Sequence, residues 1–484
     1  MFHVSDVLKH GYCPKLFWYL RQEGSRSPLK FIQMNQSLSD ILVQKIGLTD
    51  VFVSYRSIDP QLVQEGLQKH KAVVNGRFEH QSLRVKIPLV HLTPEGLDVY
   101  FTTMGANAKV EDQRYLAMHI WVLEGLGYHI HEIRVLSFNP DYVRGETLDI
   151  EACFLLRDTF VRQNGKPAGK ITEVLKSRKL DLSEDLLAMK EVLENEALTM
   201  TIDECPSLNR CEYFESCFQS QFNLNEKSVF FLTQSANKRA FINEGLLQLS
   251  DVPLDRLEGT PLQFAQIMAD RNGGVFADQL VLRHWLSGLT QPLIFMDFEW
   301  DTHGIPPYPG LRPLDVLCFQ YSLHILRDGD LSHYEFLESG DCRERFIQTL
   351  IQNTPKEGSI LAYNAFGAEA IRLKELGDQF PQYKADLDQM IDRMVDLAVL
   401  FTEGIVYLSA MKGSFTLKNI IQVINPELNY AALSIGHGLE AVKHYRTLEN
   451  NDDEDEIKDA LLKYCKMDTL AMVEILSWLQ GLIA

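Results

Sequence analysis

The sequence predicts an α/β protein of two units. Three observations carry that expectation. Apolar runs with strand periodicity alternate with amphipathic helical patterns along most of its length. A fresh strand pattern, Pro292-Leu-Ile-Phe-Met-Asp-Phe-Glu299, opens a second such series after a mostly helical bridge. Its 484 residues, 45% hydrophobic and 23% charged, are enough for several domains and too apolar for a disordered protein.

The first unit is expected over residues 1–218. It opens with a helical pattern, Val4 to Leu20. Leu83–Leu92 and Leu97–Thr103 alternate like the strands of a hairpin around Pro94-Glu95-Gly96. An amphipathic helix follows at Glu111–Leu126, stopped by Gly127, then strands at His129–Leu136 and Leu148–Leu156 and a helix at Ser183–Asn195. Residues 219–235, starting Gln219-Ser-Gln-Phe-Asn-Leu-Asn-Glu226, are polar and read as a linker, and 236–289 as a helical bridge. In residues 290–484 the pattern predicts strands 292–298, 316–324 and 333–337, helix 342–353, strand 358–363 and helices 367–377 and 455–480. Three strands, a helix, a strand and helices is the order of an RNase H-like sheet.

Charge narrows the function classes. With 47 Lys and Arg against 66 Asp and Glu the net charge is −19, which excludes a generally basic protein that coats nucleic acid. Residues 291–484 hold 30 Asp and Glu against 16 Lys and Arg, a net of −14. The first residues carry no basic region followed by an apolar run, and no stretch of 18 apolar residues occurs, so neither secretion nor a membrane is expected and the protein is placed in the cytoplasm. There the eight cysteines are expected as thiols.

Acidic residues in the second unit fall in a chemical pattern. Asp297 and Glu299 sit at i and i+2 on a strand, so both face one side, about 7 Å apart along the backbone. Tyr464 and Asp468 sit at i and i+4 and share a helix face. Between them, Tyr363-Asn364-Ala-Phe-Gly-Ala-Glu369 runs from a strand into a helix. These three blocks resemble the DEDD, or DnaQ-like, exonucleases of the tyrosine subclass. The resemblance implies two divalent cations, Mg2+ or Mn2+, held by Asp297, Glu299, Glu369 and Asp468, with Tyr464 orienting the attacking water. The superfamily places an Asp three positions beyond a residue like Asn364, whereas Glu369 lies five beyond it. Asp396, in Arg393-Met-Val-Asp396-Leu, is a further candidate, more structural than ligating. Lys418, in Ser414-Phe-Thr-Leu-Lys418, reads as a strand contact or a salt-bridge partner. Asp452–Glu456 reads as a solvated lead-in to a helix. Residues 290–480 also resemble an uncharacterised bacterial domain-of-unknown-function family. The residues that match are Phe298-Glu299, Arg312-Pro313, Phe319-Gln320-Tyr321-Ser322, Tyr363-Asn364, Val395-Asp396-Leu397, Leu417-Lys418, Tyr464-Cys465 and Asp468-Thr469. No activity comes with that family.

In the first unit, Cys13 stands early and Cys205, Cys211 and Cys217 cluster late. Four thiolates suit a [4Fe-4S] cluster or zinc. The arrangement resembles RecB-like nucleases of the PD-(D/E)XK superfamily that carry an iron–sulfur cluster. Those relatives space the late cysteines as C-x2-C-x5-C, whereas the spacing here is C-x5-C-x5-C. Their chemistry requires an Asp, then Glu-x-Lys on the next strand, then a helical Gln. Here Phe101 and Thr103 occupy the Glu and Lys places and His119 the Gln place. Asp98 and Asp112 are the remaining acids that a displaced site would use. The resemblances together imply a metal-dependent nuclease, a 3′–5′ exonuclease on a single strand or 3′ end of DNA or RNA. The acidic unit would do the chemistry and the first unit, its own site degenerate, would be a cluster-stabilised platform. The alternative is a catalytically reduced nuclease-fold scaffold that binds a protein partner.

Overall fold

Two sheets organise the protein. The structure, a computed structural model, describes residues 1–484 except 24–31, 35–36, 57, 196–197, 209–210, 429, 431–432, 449–452 and 484. It is an α/β protein of two units. One gathers the amino-terminal residues, Ile32–Met200 and His303–Asp315, and the other Thr201–Thr302 and Val316–Ala484.

In the first unit the sheet runs Phe52–Val53, Ala72–His80, Leu83–Thr93, Gly96–Thr102, Ile130–Phe138 and Phe154–Arg157, with Phe2–His3 parallel to Leu83–Thr93. The expected hairpin is present. Gly96, at φ +141°, serves where an added Cβ would stand 2.7 Å from the His129 carbonyl. Alternation gives the sheet two apolar faces. Leu97, Val99 and Phe101 pack with Leu116, Ile120 and Leu123 of the helix Gln113–Gly125, while Leu89, Tyr100 and Leu136 pack on the other side.

Two expected elements differ. The helix over Val4–Leu20 is two helices, Val4–Tyr12 and Pro14–Gln22, because the residue before a proline avoids the helical region and Cys13 is extended at φ −159°. The strand expected over Leu148–Leu156 begins only at Phe154. The Asp149 carboxylate accepts the Ala152 N–H at 3.0 Å and winds Ile150–Cys153 into a helical turn.

In the second unit the strand order is Asp330–Leu337, Val316–Arg327, Leu293–His303, Ile360–Ala362, Met394–Asp396. The first three are antiparallel, and the two short strands run parallel to Leu293–His303. Arg343–Asn353, Glu369–Gln379 and the 28-residue helix Glu454–Gly481 stand where the sequence predicts helices. Ile294, Met296 and Phe298 enter one core. Leu293 and Phe295 enter another with Met472, Ile475 and Leu476 of the long helix. Period 2 therefore points Asp297 and Glu299 to the side where that helix lies.

The sequence set a boundary at 218 and a linker to 235, yet Thr201–Thr302 groups with the second unit. The polar start of the stretch hides Val229, Phe230 and Leu232, all fully buried, and Phe230 packs on Phe214, Phe218 and Phe222. Residues 236–289 hold the helices Lys238–Asn243, Pro261–Arg271 and Gln279–Ser287, and Leu262, Ala265, Ala269 and Leu282 share a core with Phe295. Replacing Phe230 by Ala should therefore cost about 3–5 kcal/mol in urea unfolding of the full-length protein. A solvated linker would lose nothing.

Candidate metal centre

Asp297, Glu299 and Asp468 each aim a carboxylate oxygen at a common space, the three atoms lying within 4.8 Å of one another. Among the described residues this is the group with metal-ligand geometry. Asp297 is partly buried, and Glu299 and Asp468 are buried. Asp468 arrives on the helix Glu454–Gly481, one turn before Met472, whose apolar seat fixes the register.

Glu369 joins from a third element. The strand Ile360–Ala362 pairs with Leu293–His303 at Ile294 and Phe295. The Phe298 backbone, between Asp297 and Glu299, lies beside the Glu369 carboxylate. Its position five beyond Asn364 has a local cause. Asn364 turns the backbone at φ +65°, and its carbonyl accepts the N–H groups of Gly367 and Ala368 at 2.9 and 3.1 Å. The turn absorbs the extra residues, so Glu369 opens the helix Glu369–Gln379. It is 3% exposed, and its Oε2 has no hydrogen-bond partner among the described residues.

Burial without a neutralising cation pushes all four carboxyls up. Desolvation raises Glu299 to about 8, Asp468 and Glu369 adding to it. Glu369 is also raised to about 8, by desolvation first and then by Asp396. Asp297 stands well above the ordinary carboxylate range through desolvation and the charges of Asp468, Glu369 and Glu299. Asp468, raised by desolvation, rises least, to about 6, because the Tyr430 hydroxyl donates to it and Lys418 and Tyr464 stand near. An oxygen-only donor set with one unpartnered oxygen suits hard divalent cations such as Mg2+ or Mn2+.

Three further side chains line the site. Lys418, the second residue of the helix Leu417–Ile424, donates to the Tyr464 hydroxyl at 2.9 Å and the Gly436 carbonyl at 2.6 Å. Its ammonium sits 4.8 and 4.5 Å from the ring centroids of Tyr430 and Tyr464. The Tyr430 hydroxyl donates to Asp468 Oδ1 at 2.5 Å. The Cys465 thiol, one helical turn after Leu461, donates to Asp297 Oδ2 at 3.3 Å. Tyr430 was missed by the sequence, since its partner lies 38 residues away. Asp396 is a backbone tie, its Oδ1 accepting the Asn364 and Ala398 N–H groups, each at 2.9 Å. Of the run Asp452–Glu456, Asp452 lies outside the described residues and Glu454 opens the long helix.

In the first unit, Phe101 is buried in the core and its ring meets His119 at 5.4 Å. His119 is buried, bonded through Nδ1 to the Tyr115 carbonyl at 2.8 Å, and held to a pKa of about 4 by desolvation. Asp98 is bonded to His131 at 2.7 Å, and Asp112 caps the Lys109 N–H at 3.3 Å. Cys13 belongs to this unit, where its sulfur accepts the Leu16 N–H at 3.4 Å. Cys205, Cys211 and Cys217 belong to the second unit. The Arg239 guanidinium donates to the Ile202 and Cys205 carbonyls and secures the Cys205 loop. No helix among the described residues is long and apolar enough to cross a membrane.

Residues 294–416 match a family model described as Domain of unknown function (DUF2779). Over 220 residues the protein is 25% identical to Uncharacterized protein MG366 of Mycoplasma genitalium, a stretch covering 40% of this protein and 33% of that one. Among solved structures it is similar to the family B DNA polymerase from the hyperthermophilic archaeon Pyrobaculum calidifontis. That likeness has 14% identity over 38% of this protein and 24% of the polymerase, and a TM-score of 0.26 too low to bear on the fold.

Raised carboxyl pKa values stabilise the metal-free fold below the ordinary carboxylate range, and that stability is lost as pH rises through the folded values near 6 and 8. In EDTA the Tm should fall between pH 5 and 8 (about the window these values span). Mn2+ should raise it more at the upper end than at the lower, read by calorimetry. A metal-independent Tm at both ends would remove the site.

Proposed function

We propose that the protein is a metal-dependent nuclease whose working site is Asp297, Glu299, Glu369, Asp468 and Tyr464, in an RNase H-like unit of DnaQ type. The natural substrate is a single strand or 3′ end of DNA or RNA, digested 3′ to 5′. One observation carries the reading: carboxylates from separate elements meet in a desolvated space with too little positive charge to balance them. Two bound cations would activate a water and stabilise the leaving oxygen, as in two-metal phosphodiester hydrolysis.

The protein's own groups supply the rest. Asp468 accepts from the Tyr430 hydroxyl at 2.5 Å, which helps keep it the most acidic of the set. The Tyr464 hydroxyl accepts from Lys418 at 2.9 Å, which leaves its proton and its second lone pair to orient a water. Lys418, held to the Gly436 carbonyl, keeps that hydroxyl in place.

The first unit is proposed as a RecB-like platform that does not hydrolyse. Support comes from Phe101 and His119 filling the catalytic places with an apolar contact, and from Asp98 and Asp112 being engaged locally. The same residues favour the alternative of a nuclease-fold scaffold with a protein partner. Cys13, Cys205, Cys211 and Cys217 are proposed as ligands of a [4Fe-4S] cluster, with Zn2+ the alternative, on their thiolate chemistry and spacing.

Labelled single-stranded DNA and RNA, incubated with Mg2+ or Mn2+, should be shortened from the 3′ end by the wild type and left intact by the double variant Asp297→Ala, Asp468→Ala. An inert wild type leaves the scaffold reading standing. Cleavage by the double variant moves the chemistry to other residues. An anaerobic preparation should absorb near about 400 nm and lose the band in Cys205→Ser; stoichiometric zinc without the band selects the other metal.

A further inference from the structure

Behind the carboxylates lies a buried polar network that the proposed chemistry does not use. Thr469, the residue after Asp468, is fully buried in the long helix. Its hydroxyl donates to the Lys466 carbonyl at 3.1 Å. With its proton placed there, it must accept from its other neighbours. Ser322 Oγ lies 2.7 Å away and His324 Nδ1 2.8 Å away. Ser322 Oγ in turn stands 3.0 Å from His333 Nε2. One arrangement that satisfies each atom runs His333 Nε2–H to Ser322, Ser322 to Thr469, His324 Nδ1–H to Thr469, and Thr469 to Lys466. Both imidazoles are neutral in this scheme, as their burial also favours. No charge is added beside four carboxylates that already repel.

The network sits against the metal group from two sides. Ser322 pairs directly with Asp297 across the antiparallel strands, and Thr469 follows Asp468. A hydroxyl that receives two hydrogen bonds from the strand Val316–Arg327 fixes the rotation and height of the helix at that point. A shift of either would move Asp468 relative to Asp297 and Glu299.

We propose that Thr469, held by Ser322 and His324, is a positioning residue that sets Asp468 in the register divalent-cation binding requires. The inference rests on the metal-centre reading above. It concerns an uncharged anchor outside the ligand set, acting through the helix.

The test is Mn2+ binding to the full-length protein by titration calorimetry, with thermal unfolding measured beside it. Thr469→Val keeps the shape and removes the hydroxyl. Its Mn2+ affinity should fall by about tenfold or more, the usual effect of removing a partner behind a metal ligand. Thr469→Ser removes a buried methyl and keeps the hydroxyl, so it should lose stability and retain wild-type affinity. That split separates positioning from general destabilisation. Should Thr469→Val fail to fold, His324→Phe, which removes one of the two donors, decides the matter by the same affinity loss. Affinity within about twofold of wild type in the folded Thr469→Val or His324→Phe protein overturns the inference. A wild type that binds no Mn2+, and matches Asp468→Asn in that respect, instead overturns the metal centre and the inference with it.

Discussion

Three carboxylates meeting in one desolvated space, with the charge of Glu369 acting on them, are the constraint on which the second unit depends. Each is brought by local geometry that would persist without the others: a strand with period 2, a helix start after a left-handed turn, and a long helix seated by Met472 and Ile475. Left uncompensated, they repel, and burial forces protons onto them at pH values where exposed carboxyls are ionised. A fold that keeps such a group gains nothing from it in stability. Its retention makes sense when a bound cation repays the cost.

The groups around the cluster are arranged to manage that repulsion only in part. Lys418 supplies one positive charge but shares its donors with Tyr464 and Gly436. The Tyr430 hydroxyl adds a donor without adding charge. Net charge tells the same story at larger scale: residues 291–484 carry −14, and two divalent cations offset four of those charges. A surface that stays acidic with metal bound would hold a polyanion weakly by itself. Strand binding would then draw on local contacts at the site or on other parts of the protein.

Much of the centre was legible because its signals are local. Asp297 and Glu299 follow from strand alternation, and Tyr464 and Asp468 from helical spacing. The strands and helices of the second sheet were legible for the same reason. Tyr430, and the way Lys418 serves, were not. Tyr430 bonds across 38 residues and Lys418 across 46, and no local periodic pattern encodes a contact made at such separation. The unit boundary was illegible for a different reason. Residues 219–235 look polar on average, yet Val229, Phe230 and Leu232 decide where the segment goes. Burial is set by a few side chains, which an average over the window conceals.

The two units show opposite solutions to one problem. Each has a sheet with a buried face covered by a helix. In the first, that face holds Leu97, Val99 and Phe101 and, on the helix, His119 bonded to the Tyr115 carbonyl. In the second, the face holds Glu299 and Asp468, and Glu369 Oε2 is unpartnered among the described residues. A buried acceptor without a donor is costly in a finished core, because desolvation is not returned by any hydrogen bond. Of the two sheet faces, it is therefore the second whose buried groups a bound cation would stabilise.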